Sequence, residues 1–219
     1  MTRPITAGVD ATEESLAALD WAAREAVRRG LALRVVQAWR FQPYDAIDAA
    51  DRETQAGWVR DAAEEAVKAV TARHPGLDVG TEVLEGETVD TLVAAAAEAE
   101  MLVLGSRGYG PVVGFLLGSV GRQVLAESAR PVVLVRADDQ PTGEAAGREI
   151  VVGQHGEAQD SAEVLRFAFE TAAARGAGVR VVRAWTLPPV FAYSPASMNL
   201  LDEAGGLEPY ESKALEAAV

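Results

Sequence analysis

The stretch 102-LVLGSRGYGPVVGFLLGSVG-121 opens as an apolar strand and closes as the start of a helix, with glycines at 105, 108, 110, 114 and 118 between them. A structural turn needs one or two glycines, where the backbone takes a positive φ or passes close to another segment. So many bare positions at the end of a strand let backbone N–H groups converge on a ligand with no Cβ in the way. The spacing Gly105-x2-Gly108-x9-Gly118-Ser119 then runs into a helix. Its first amides lack intrahelical acceptors and its dipole is positive at that end, the arrangement that receives a phosphate. Ser119 can cap that helix, contact a phosphate oxygen, or both. Charge points the same way. The chain has 33 acidic and 20 basic residues, a net charge of −13, yet no acid lies between Met101 and Ala126, where Arg107 and Arg122 stand. The competing reading is a long glycine-rich surface loop.

On either side of this stretch the chain alternates regularly. Residues 5–9 read as a strand. Thr12 is an N-cap followed by Glu13 and Glu14, then Leu16, Leu19, Ala23, Ala26 and Val27 recur at helical spacing, with Arg28 and Arg29 in the last turn and Gly30 as the stop. Strands follow at 33–39, 77–84, 101–104 and 132–136, the last behind Pro131. Helices fall at 51–73, ending before Pro75, at 88–98 and at 119–128. Continuous apolar strands separated by helices predict an α/β domain over residues 1–136, with a parallel, doubly wound sheet covered on both faces. Residues 137–149, opening with ADDQPTGEAAGR, are acidic, contain Pro and Gly, lack periodicity and read as a linker.

Beyond the linker the sequence starts again. The segment 5-ITAGVDATEESLAALDWAAREAVRRGLALRVVQAW-39 matches 150-IVVGQHGEAQDSAEVLRFAFETAAARGAGVRVVRAW-185. Gly8 aligns with Gly153, Ser15 with Ser161, Gly30 with Gly176 and Trp39 with Trp185, with one residue inserted before the helix of the second copy. This is a repeat of a whole domain unit rather than a solenoid period. The second copy, residues 150–219, stops where its second helix would begin and has no counterpart of the glycine stretch, so it reads as a truncated domain. A two-stranded sheet leaves an exposed flank. That flank implies either a degenerate tandem copy, docked on the first domain or partly disordered, or association with another molecule through the sheet edge, a homo-oligomer.

Several function classes are excluded. No apolar run is long enough to span a bilayer, and Met1-Thr2-Arg3-Pro4 leads straight into a strand, so neither a membrane anchor nor a leader is expected. The chain has no cysteine, which removes disulfides and thiolate metal sites and makes a cytoplasmic location the expectation. A net charge of −13 argues against nucleic-acid binding through phosphate neutralisation. The Walker pattern is absent, since no lysine lies between Lys68 and Lys213. Gly108-x-Gly110-x3-Gly114 resembles a dinucleotide fingerprint, but it follows the fourth strand rather than the first. His74 sits at a helix end as a cap. No Ser-His-Asp spacing, metal-ligand cluster or paired carboxylates surround the glycine stretch, and no side chain stands out as a water-activating base.

Taken together, Gly8-Val9-Asp10 after the first strand, Val35-Val36-Gln37-Ala38-Trp39 in the second, Gly105-Ser106-Arg107-Gly108, Gly118-Ser119-Val120 and Pro131-Val132-Val133-Leu134-Val135 resemble the universal stress protein family. Its nucleotide-binding members carry G-x2-G-x9-G-[S/T] at this place, and the doubled unit is similar to its tandem members. The resemblance implies a five-stranded sheet of order 3-2-1-4-5 with a ligand at the switch point between strands one and four. It implies ATP as the ligand, with Mg2+ carried by the phosphates. Asp10, reached through Gly8 and Val9, would hydrogen-bond the ribose or adenine side, and backbone groups near Ala38 would read the adenine edge. Gly105, Ser106, Gly108, Gly118, Ser119 and Val120 would hold the phosphates, with Arg107 adding charge. It further implies a stress-response regulator with at most slow ATP hydrolysis. The alternatives are an acid placed only for the helix dipole at Asp10, a solvated loop cation at Arg107, and a scaffold of the same fold acting through protein contacts. His155 stands where the first copy has Asp10, so the second copy is expected not to bind ATP in the family manner.

Overall fold

A computed structural model describes residues 2–41, 51–106, 118–137, 149–186 and 206–218. The chain divides into two compact units, Met1–Thr142 and Gly143–Val219, and the division falls inside the stretch read as a linker.

In the first unit, β1 (Ile5–Gly8), α1 (Glu13–Arg29), β2 (Leu33–Trp39), α2 (Arg52–Arg73), β3 (Val79–Glu85), α3 (Thr88–Ala97), β4 (Met101–Ser106), α4 (Ser119–Glu127) and β5 (Val132–Arg136) follow in order. All the strand pairings are parallel and the order is β3-β2-β1-β4-β5, as the resemblance implies. Strand β1 lies at the centre, with Ile5 opposite Leu33 on one side and Met101 on the other. Its connection leaves toward β2 while that of β4 leaves toward β5. The two chains therefore diverge at their carboxyl ends and open a crevice there.

The helices form where local signals put them. Thr12 caps α1 by accepting from the Ser15 N–H, Glu13 and Glu14 occupy its first turn, and Arg28 and Arg29 its last. Gly30 closes the helix in the left-handed conformation at φ 64°, where any other residue would carry a Cβ penalty. Asp51 caps α2 by accepting from Thr54 N–H at 2.8 Å, and those hydrogen bonds hold its carboxyl below the usual range. Strand β3 begins at Val79, later than the pattern at 77–84 suggests. The reason is a turn: Leu77 N–H donates to His74 C=O at 3.2 Å, and Gly76 takes φ 94°.

Side-chain alternation divides the core between the two faces of the sheet. Val36, Leu102 and Leu104 pack against Leu92, Ala95 and Ala96 of α3 and Val124 of α4. The opposite face of the central strands carries the buried Ile5, Ala7, Leu33, Val35, Met101 and Val103. Helix α1 buries Ala18, Leu19, Ala22, Ala23 and Ala26, a nearly all-alanine stripe that lets its backbone lie close to the strands. Each buried Leu, Ile, Val or Met contributes roughly 1.5–3 kcal/mol relative to exposure.

The second unit contains β6 (Glu149–Gln154), a 3-10 turn at Ala158–Ser161, α5 (Ala162–Arg175), β7 (Gly178–Arg183) and α6 (Glu208–Ala218). Its two strands pair in parallel. One face of this sheet packs Val152 and its neighbours Ile150, Val179 and Val181 against Leu165 and Ala168 of α5 and Ala218 of α6. The repeat shows in the backbone as well: α5 ends on Gly176 at φ 62°, as α1 ends on Gly30.

Candidate nucleotide site

The crevice is built by strands of unequal length. Strand β1 stops at Gly8, and the Val9 N–H makes one further ladder bond, to Val36 C=O at 2.9 Å. Strand β2 continues beside β3 through the pairs Gln37↔Val83, Ala38↔Leu84 and Trp39↔Glu85. In a parallel ladder both polar groups of a residue point to one side, and the side alternates along the strand. Val36 faces β1, and Trp39 faces β3, where its C=O accepts from Gly86 N–H at 3.0 Å. The N–H and C=O of Ala38 therefore face the side that β1 has vacated. This donor–acceptor pair on one edge matches the acceptor–donor pair on an adenine edge.

After Val9 the chain turns sharply. Ala11 has φ 61°, a left-handed conformation that is rare for a residue with a Cβ. The turn is tied from both ends. Asp10 Oδ1 accepts from Thr12 N–H at 3.1 Å and from Thr12 Oγ1–H at 2.5 Å. The Asp10 N–H donates to Ser15 Oγ at 3.3 Å, and the Ser15 hydroxyl donates to Thr12 C=O at 2.9 Å. In the second unit the aligned position is Gly156, at φ 67°. Glycine takes this conformation without strain, so Ala11→Gly is expected to raise or preserve stability, by up to about 1 kcal/mol. Urea unfolding of the two forms checks this, and a loss of stability would show that the turn is not strained.

On the other wall, Gly105 and Ser106 end β4. Ser106 is only 8% exposed, and its hydroxyl makes no hydrogen bond among the described residues. Above it, α4 begins without a side-chain cap. Gly118 occupies the N-cap position and Ser119 is the first helical residue, so Ser119 does not cap the helix and its hydroxyl is left for another partner. The first intrahelical bond is Arg122 N–H to Gly118 C=O at 3.0 Å, which leaves the amides of Ser119, Val120 and Gly121 without helical acceptors. The first turn carries no acid.

These elements enclose a cleft of about 400 Å³. It is lined by Gly8, Val9, Asp10, Ala38, Gly105, Ser106, Gly118, Ser119 and Val120. All the positions that the sequence singles out thus meet in one place, apart from Arg107 and Gly108, which lie outside the described residues. The cleft also includes residues that no motif assigns to a site. Thr12, Glu14 and Ser15 come from the start of α1, Thr88 and Leu92 from α3, and Leu104, Gly121 and Leu134 from the other wall. Thr12 is legible as a cap and Ser15 through the repeat. Nothing in a single sequence places Glu14 or Thr88 beside Gly105. Among the described lining residues the ionisable groups are Asp10 and Glu14, and the anion donors among them are backbone amides and hydroxyls.

Residues 1–136 match the profile of the universal stress protein family. The chain belongs to this family. A universal stress protein of Mycolicibacterium smegmatis is 32% identical over 197 residues, which is 85% of this chain and 66% of that protein; the chain thus spans just under two thirds of its relative's length. The crystal structure of a universal stress protein from Archaeoglobus fulgidus DSM 4304 shares the fold at a TM-score of 0.53 and 18% identity, covering 93% of this chain and 84% of that one. A universal stress protein crystallised in complex with cAMP is 28% identical with a TM-score of 0.46, over 61% of this chain and 96% of that chain.

The two units of this universal stress protein differ at the corresponding place. In the second, Arg183 aligns with Gln37, and its guanidinium donates to Gln154 Oε1 at 2.6 Å and Gly156 C=O at 2.7 Å, while also pairing with Glu211 of α6. His155, at the position of Asp10, engages through its backbone, its C=O accepting from Ser161 Oγ at 3.0 Å. A guanidinium and its partners thus sit at the strand ends where the first unit has its cleft. Among the described residues no helix is long and apolar enough to cross a membrane.

Proposed function

We propose that the cleft of the first unit binds an adenine nucleotide, ATP with its Mg2+, and that the protein is a nucleotide-responsive regulator with at most slow hydrolysis. One observation carries this reading. The uncapped, acid-free start of α4 and the buried Ser106 hydroxyl, which has no partner among the described residues, line the same 400 Å³ space as the outward-turned backbone of Ala38. An anion seat and a hydrogen-bonding edge for a base thus lie at opposite walls of one crevice, with Asp10 between them. The apolar Val9, Leu92 and Leu104 supply a surface for the base. A Mg2+ arriving with the nucleotide would be carried on phosphate oxygens and water.

The test begins with freshly purified protein, denatured in acid, and chromatography of whatever is released. ATP or ADP near one per chain supports a single site. No released nucleotide, together with no heat on titrating ATP and Mg2+, would refute the reading and favour a scaffold acting through protein contacts. Within the proposal, Asp10→Ala should weaken ATP binding by about 10- to 100-fold, the equivalent of roughly 1.5–3 kcal/mol for a hydrogen bond to a charged group. Unchanged affinity on calorimetric titration would remove Asp10 from the site.

A further inference from the structure

We infer that Thr12 is a positioning residue for the nucleotide, acting through the carboxylate of Asp10. The inference rests on the adenine-nucleotide reading of the cleft. Thr12 places both of its donors on one oxygen: its N–H and its hydroxyl reach Asp10 Oδ1 at 3.1 and 2.5 Å. Two donors converging on one carboxylate oxygen from a fixed turn set the rotamer and the plane of the group. The turn is itself immobilised. The Thr12 hydroxyl also accepts from Ser15 N–H at 3.3 Å as the cap of α1, and the buried Ser15 closes the loop onto the Asp10 N–H. The left-handed Ala11 between Asp10 and Thr12 lets a two-residue hop bring these groups together.

An exposed aspartate samples several rotamers in solution, and a ligand that needs one of them loses affinity by the fraction of time spent elsewhere. At Asp10 that cost is removed before the ligand arrives, by a residue that need not touch the ligand itself. The second unit lacks the arrangement: Glu157 aligns with Thr12 and His155 with Asp10. The same serine survives there as Ser161, bonded to the His155 backbone. Hence the serine belongs to the fold of the turn, whereas the Asp–Thr pair belongs to the first unit alone.

The experiment is a double-mutant cycle on the whole chain, read as ATP affinity by calorimetry with Mg2+ present and accompanied by thermal unfolding of each form. Thr12→Val should weaken ATP roughly tenfold, and Thr12→Ser, which keeps the hydroxyl, should restore most of that loss. In an Asp10→Ala background Thr12→Val should cost less than about twofold, because the side chain it orients is gone. Equal losses in both backgrounds, or a Thr12→Ser form as weak as Thr12→Val, would overturn the positioning role. A parent protein that binds no adenine nucleotide would instead overturn the reading of the cleft, and the two failures are told apart by that first titration.

Discussion

Gly105→Ala is expected to cost about 3 kcal/mol or more of folding stability, at the upper end of what overpacking a core exacts. A Cβ at position 105 would fall 2.5 Å from the carbonyl carbon of Glu14, 2.6 Å from its oxygen and 2.6 Å from the Ser15 nitrogen. These are backbone atoms of the first turn of α1, held by the Thr12 cap and the Ser15 hydrogen bonds, and no rotamer change can move them aside. Either α1 shifts off the sheet or β4 bends away, and both open the alanine-rich interface that depends on close approach. For a domain of this size 3 kcal/mol lowers Tm by roughly 10 °C. Unfolding in urea without nucleotide measures it. A loss below about 1 kcal/mol would mean that α1 is not seated so closely on β4. By contrast, a Cβ at Gly8 would meet only the ends of the Leu104 and Leu92 side chains, at 2.6 and 3.1 Å, which can move.

Gly105 also shows what a sequence conveys and what it withholds. Its place at the end of an apolar strand, in a glycine-rich run, marks it as a position where a side chain is excluded. The run alone suggests exclusion by a ligand, but the structure shows exclusion by α1, far earlier in the chain. Local signals were legible because they are local: the Thr12 cap, the Gly30 and Gly176 stops and the strand at 33–39 depend on nearest neighbours. The sheet order followed from the resemblance rather than from periodicity, which cannot say that β1 sits between β2 and β4. The cleft residues from α1 and α3 were hidden for the same reason. Glu14 and Thr88 carry no pattern of their own, and they reach the crevice only because β1 ends early and the helices on both sides begin there. Ser119 was ambiguous between cap and ligand contact. Only the backbone at Gly118, with φ −56° and ψ 154°, places the cap one residue earlier.

Gly118→Val separates the site from the fold. Position 118 has ordinary extended dihedrals that any residue adopts, and a Cβ there meets no atom of the described residues within 4 Å. Valine is a poorer N-cap than glycine, so stability should fall by no more than about 1 kcal/mol. That position adjoins the cleft lined by Gly118, Ser119 and Val120, where the amides of α4 that lack helical acceptors emerge. On the nucleotide reading, a branched side chain at the mouth of these donors would displace a phosphate group from them. Loss of several hydrogen bonds to a charged group should lower ATP affinity at least 100-fold, about 2.7 kcal/mol. Gly118→Ala, with one methyl in place of three carbons, should fall between the two. The contrast with Gly105→Ala is the informative part: one glycine is required by the fold, and the other, on the nucleotide reading, by the ligand. A Gly118→Val protein that folds normally and still binds ATP at full strength would move the phosphates away from α4, and with them the anion seat on which the nucleotide reading stands.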